Sequence, residues 1–130
     1  KHIGTNVVLQ RQLVRYTKKM DPKTFLGKEV ELVIDRPLGS KHPEHGFVYE
    51  VNYGYIPNVM AEDGEELDAY YLGIKESVEK AKGVVIAIIN RIDDTDPKLI
   101  VVPKGIELSD EEIRKQTHFQ EQWFKSEILR

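Results

Sequence analysis

The sequence predicts a mainly β domain, a five-stranded barrel of the OB type with flanking helices, on three observations. Five short apolar segments follow one another between residues 29 and 102. Turns rich in Pro, Gly or acidic residues separate them. A capped helical pattern comes after the last one. Such an order suits a small, partly open barrel, for which five strands is a common number. The 130 residues fit one domain with a single core. We divide it into an N-terminal extension (1–27), the barrel (28–104) and a C-terminal helix (109–130).

The elements follow in order. Asn6 to Met20 places Val7, Val8, Leu9, Leu13, Val14 and Tyr16 in an imperfect helical pattern that Asp21-Pro22 would end. A strand or a disordered arm fits the same residues. Glu29 to Ile34 alternates, with Val30, Leu32 and Ile34 on one face. Pro37, Gly39 and Pro43 mark a loop that runs to Gly46. Phe47 to Ile56 reads as the second strand, Leu67 to Ile74 as the third, Val84 to Ile92 as a fourth buried on both faces, and Lys98 to Val102 as the fifth. Ser109 and Glu112 then form a capping-box pair at the start of the helix.

Composition narrows the function. With 40% hydrophobic and 32% charged residues, the chain is an ordinary globular domain. The absence of cysteine excludes disulfides, thiolate metal sites and cysteine nucleophiles. A net charge of −3 lacks the basic excess of a general nucleic-acid binder. The longest apolar stretch, around Gly83 to Ile89, is far too short for a membrane span. The N-terminal residues lack the apolar core of a signal peptide. The expected location is the cytoplasm.

Two acidic turns carry the chemistry. Glu62-Asp63-Gly64-Glu65-Glu66-Leu67-Asp68 holds five carboxylates in seven positions. Two like charges at about 5 Å repel by roughly 1 kcal/mol in water and about 3 at an effective dielectric near 20. A fold that gathers them must raise their pKa values, splay them into solvent or bind a cation, and magnesium favours such hard oxygen ligands. A second turn supplies Asp93, Asp94 and Asp96 just before Lys98. On one barrel rim, the two turns could hold two or more divalent ions, which activate water and clamp phosphate oxygens. An isolated acidic turn is more often simply solvated. Asp68 is different, because it stands beside Leu67 at the start of an apolar strand, where a charge needs a partner.

Asn52-Tyr53-Gly54-Tyr55-Ile56 followed by Asp63-Gly64-Glu65-Glu66-Leu67-Asp68 resembles the signature region of family I soluble inorganic pyrophosphatases. The stretch from Gly83 to Pro103 is also similar, and the likeness covers roughly residues 28 to 104. It implies an OB-type barrel that hydrolyses pyrophosphate to two orthophosphates with Mg²⁺. By position, it implies Asp63, Glu65, Asp68, Asp96 and either Asp93 or Asp94 as metal ligands, with Asp68 beside the activated water and Glu65 as base or ligand. Lys98 and Lys125 would contact phosphate, and Tyr55 a phosphate or ligand oxygen. Asp35-Arg36-Pro37 stands where the family has Glu-X-Pro, so Asp35 is a further candidate ligand and Lys41 a candidate phosphate lysine. The family's early hairpin, with its phosphate-binding arginine, is replaced by the short loop Ser40 to His45. The resemblance also implies a homo-oligomer.

Other residues read more plainly. Tyr53 is expected to pack across strands, and Phe119 and Trp123 to pack the helix on the barrel. His42 and His45 are more readily solvent-facing histidines than a metal pair. Two rival functions stay open: hydrolysis of another phosphoanhydride, and a non-catalytic barrel that binds a ligand or nucleic acid.

Overall fold

The computed structural model describes residues 20–61, 64–93 and 96–130. The Asn6–Met20 pattern and residues Asp63 and Asp94 therefore fall wholly or almost wholly outside the description. A 3-10 turn, Pro22–Phe25, is capped by Asp21, whose carboxylate accepts the Lys23 N–H. The strands are Glu29–Arg36 (β1), Asn52–Met60 (β2), Glu66–Tyr71 (β3), Lys80–Arg91 (β4), Lys98–Val102 (β5) and Ser126–Leu129 (β6), with helix Asp110–Glu121 (α1) between β5 and β6.

The first five strands form a closed barrel in the order β1-β2-β3-β5-β4, with β4 pairing back onto β1. Neighbours run antiparallel except β3 and β5, which are parallel. Strand alternation then sorts the side chains. Leu32, Ile34, Ile56, Leu67, Ala69, Val85, Leu99 and Val101 fill one cluster inside the barrel. Tyr53, Tyr70, Leu72, Ala87, Ile89, Ile100 and Val102 form a second cluster with Ile113 and Phe119 of α1. β3 and β5 thus have both faces covered, and neither carries an exposed residue.

Gly54 lets β1 and β2 approach: a Cβ there would overlap the Val33 carbonyl. Asn52 is fully buried and works as a clamp. Its Oδ1 accepts the Leu38 and Val78 N–H groups, and its Nδ2 donates to the Glu76 carbonyl.

Several boundaries differ from the sequence reading; the second strand runs on to Met60 and the third ends at Tyr71 rather than Ile74. The second strand begins at Asn52, not Phe47, because residues 41–48 close their own small hairpin through the Lys41–Val48 bridge, with Gly46 at φ +73°. The fourth strand begins at Lys80, since its first half closes the barrel on β1. The C-terminal helix stops at Glu121 rather than running to residue 130. β1 leaves the second half of β4 without a partner on that edge, and Ser126–Leu129 pairs there instead.

Candidate active site

One outward face of the barrel, beneath α1, gathers the charged groups. Asp68 and Tyr70 on β3 alternate with the interior residues Leu67 and Ala69. Lys98 on β5 pairs in register with Asp68, so the two side chains share a face. Arg91 follows Ala87 and Ile89 on the same face of β4. β1 contributes two consecutive residues because its register slips between Ile34 and Arg36, which leaves Asp35 as the extra residue of a bulge. Both Asp35 and Arg36 therefore reach this side.

Lys98 is the hub. It is buried, and its ammonium donates to Asp68 Oδ2 at 2.9 Å, to Asp96 Oδ2 at 2.8 Å and to the Tyr53 hydroxyl at 2.7 Å. Three acceptors use all three ammonium protons. The Tyr53 hydroxyl in turn donates to Asp68 Oδ2 at 2.9 Å. Burial raises the Tyr53 pKa well above its ordinary value, and the Asp68 charge adds to this, so the phenol keeps its proton.

A second chain of bonds runs under the helix. Arg91 grips Glu121 at two points, Nε to Oε1 at 3.0 Å and Nη2 to Oε2 at 2.8 Å. Its Nη1 reaches Asp96 Oδ2 at 3.5 Å, and its guanidinium lies 3.7 Å from the centre of the Phe124 ring. Burial works against the Arg91 charge, but the bonds to Glu121 and the charges of Glu121 and Asp96 outweigh it and raise its pKa. Tyr70 donates to Glu121 at 2.6 Å and accepts from Gln120, which accepts from Tyr49 at 2.7 Å. The Tyr49 phenol is pushed up to about 12, mainly by burial.

These groups open on a cavity of about 790 Å³. Its lining includes the charged residues Asp35, Arg36, Asp68, Asp96, Arg91 and Lys98. The rings of His42, His45, Phe47, Tyr49, Trp123 and Phe124 line the same cavity.

The structure brings together Asp35, Asp68, Asp96 and Lys98 of the residues selected from sequence. Glu65, Asp93, Lys41, Lys125 and Tyr55 are not among the described residues lining this cavity. Lys41, Lys125 and Asp93 are exposed. Tyr55 stands opposite Asp68 in register, yet the described phenol bond to Asp68 comes from Tyr53. Both tyrosines share a strand face, so alternation could not separate them. Burial does: Tyr53 lies beneath the helix, and a buried phenol needs a partner. Sequence reasoning also missed Arg91 and Glu121. An arginine ending an apolar strand was the available signal, since such a charge needs a counter-ion.

As placed, no group of three or more His, Asp or Glu side chains among the described residues is close enough to hold a metal ion. The donor chemistry nevertheless fits a hard divalent ion. Asp35, Asp68 and Asp96 are carboxylates facing one cavity, and Asp63 lies outside the described residues.

Residues 17–128 match the family model for inorganic pyrophosphatase. An inorganic pyrophosphatase of Saccharolobus solfataricus is 27% identical over 107 residues, covering 67% of this chain and 62% of that protein. One from Helicobacter pylori is 32% identical over 99 residues, covering 70% of this chain and 53% of that protein. The chain thus spans between about half and two thirds of the length of these relatives. A solved structure of an inorganic pyrophosphatase from Helicobacter pylori superposes with a TM-score of 0.59 at 21% identity, over 78% of this chain and 84% of that one, a likeness of fold. With the closed barrel and its acidic, lysine-centred face, the match over most of the sequence shows that this chain belongs to the inorganic pyrophosphatase family.

Proposed function

We propose that the chain hydrolyses inorganic pyrophosphate to two orthophosphates with the help of divalent metal, Mg²⁺ by preference. The observation that carries this reading is the Asp68–Lys98–Asp96 cluster facing the same cavity as Asp35, Arg36 and Arg91. Asp35, Asp68 and Asp96 would hold the metal, with Asp63, Glu65 and Asp93 as further candidate ligands from their positions in the sequence. Bound there, such an ion supplies Lewis acidity and a lowered pKa for water.

The chain's own residues do the rest. Lys98 holds two carboxylates side by side and offsets their mutual repulsion. Tyr53 fixes one oxygen of Asp68 by donating to it. Arg36 and Arg91 place fixed positive charge on the cavity, where it favours the anionic substrate and the charge that develops on the leaving phosphate. Arg36 comes from beside the bulge of β1 and lines the cavity. Lys41 and Lys125 would serve at most as outer, solvated charges.

The deciding measurement is orthophosphate release from pyrophosphate with and without Mg²⁺, beside the Asp68→Asn variant. Metal-dependent release that Asp68→Asn lowers at least about a hundredfold is expected, a loss of roughly 3 kcal/mol in transition-state stabilisation. No release with any divalent ion would sink the reading.

A further inference from the structure

The rings that line the cavity offer apolar surface that pyrophosphate itself does not require. Pyrophosphate is a small, strongly hydrated anion with no apolar surface to bury. The space available, about 790 Å³, lies in the range of pockets that enclose whole organic ligands. Trp123 lines it while remaining 61% exposed, unlike Phe119, which is buried in the core behind it. The Trp123 indole thus offers open ring surface at the cavity, with an apolar face and a polar N–H.

The wall is also built rather than loose. Phe47 packs on Trp123 with ring centres 5.5 Å apart, and on Phe119 at 6.0 Å. His42 sits 4.8 Å from Phe47 and 4.7 Å from His45. His42 Nδ1 accepts the N–H groups of Glu44 and His45, both at 3.1 Å, which fixes the loop carrying these rings. Phe124 has one face taken by Arg91. Trp123 keeps exposed ring surface.

We infer that this site takes an organic diphosphate that bears a planar aromatic ring, a nucleoside diphosphate, with its phosphates among the charged residues and its base against Trp123. The inference rests on the phosphoanhydride reading above and names the substrate class for the same site. In the reaction, a water oxygen bonds to the terminal phosphorus and the bond from that phosphorus to the bridging oxygen breaks. The bridging oxygen leaves on the nucleoside monophosphate, orthophosphate is the other product, and the surplus proton passes to solvent.

Trp123 is the only tryptophan of the chain, so its fluorescence reports on this wall alone. The full chain with Mg²⁺ is titrated with ADP and with ribose 5-diphosphate, which lacks the base, and orthophosphate release is followed from ADP and from pyrophosphate. ADP is expected to quench Trp123, to bind about tenfold tighter than ribose 5-diphosphate, and to be cleaved to AMP. Trp123→Leu is expected to raise the KM for ADP about tenfold more than that for pyrophosphate. Equal affinity for ADP and ribose 5-diphosphate overturns the inference, and so does cleavage of pyrophosphate without cleavage of ADP. Cleavage of ADP without cleavage of pyrophosphate would instead overturn the proposed function and leave this inference standing.

Discussion

Asp68 and Lys98 face each other in the register of the parallel β3–β5 pair, and their charged ends meet at 2.9 Å with almost no solvent contact. Taking one member away strands the other. Lys98→Met leaves Asp68 and Asp96 without their shared cation and is expected to lower stability by about 3–5 kcal/mol. Urea unfolding measures it. Adding Asp68→Asn to Lys98→Met should restore part of the loss, because the stranded charge is then gone.

Tyr53→Phe removes the hydroxyl that joins Asp68 to Lys98. We expect kcat for pyrophosphate to fall about tenfold, near 1.4 kcal/mol, with a smaller change for Tyr55→Phe. Parallel steady-state assays of the two variants decide between the tyrosines. A larger effect at Tyr55 would return the role to the residue favoured by sequence position.

Gly54→Ala pushes a methyl group into the Val33 carbonyl, across two strands that the closed barrel cannot spread apart. The expected cost is about 3 kcal/mol or more. Thermal and chemical unfolding should show it, together with a lower soluble yield.

Asn52→Ala leaves the Leu38 and Val78 N–H groups without their buried acceptor. The expected loss is on the order of 3 kcal/mol. Hydrogen exchange should report it first in residues 37–40 and 76–79, the two segments this side chain ties together.

His42 gives a pH signature. Burial and the neighbouring His45 charge hold its pKa below the ordinary 6.5. The folded chain therefore binds this proton less readily than the unfolded chain. Stability from this group is present above the ordinary value and is lost as pH falls through it toward the lowered folded pKa. An NMR titration of the His42 ring should give a value below 6.5. His42→Gln should flatten the acid side of the stability curve.

The barrel was legible in the sequence because alternation survives in Val30, Leu32 and Ile34, and because short apolar runs separated by Pro, Gly and acidic turns read as successive strands; that β3 and β5 are the two covered on both faces comes from the structure. Asp68 stood out as a charge at the start of an apolar strand, and Lys98 as the lysine that follows the second acidic turn and matches the family pattern. Three things were not legible. The β1 bulge that turns both Asp35 and Arg36 toward the cavity depends on pairing with Tyr53, a long-range register that local pattern does not encode. The Arg91–Glu121 pair joins residues 30 positions apart. Ser126–Leu129 reads as helix by composition, and only the open edge of β4 makes it a strand.

That open edge has a mechanical meaning. Trp123 and Phe124 hang between two anchors, the end of α1 at Glu121 and the four-residue strand β6. The Lys125 carbonyl accepts the Ile92 N–H at 2.9 Å, where the suspended segment meets β4. The placing of Trp123 and Phe124 is therefore tied to the pairing of β6 with β4. A change at Ile128, which is not itself among the residues lining the cavity, would reach the site through that pairing and through the aromatic cluster it packs on.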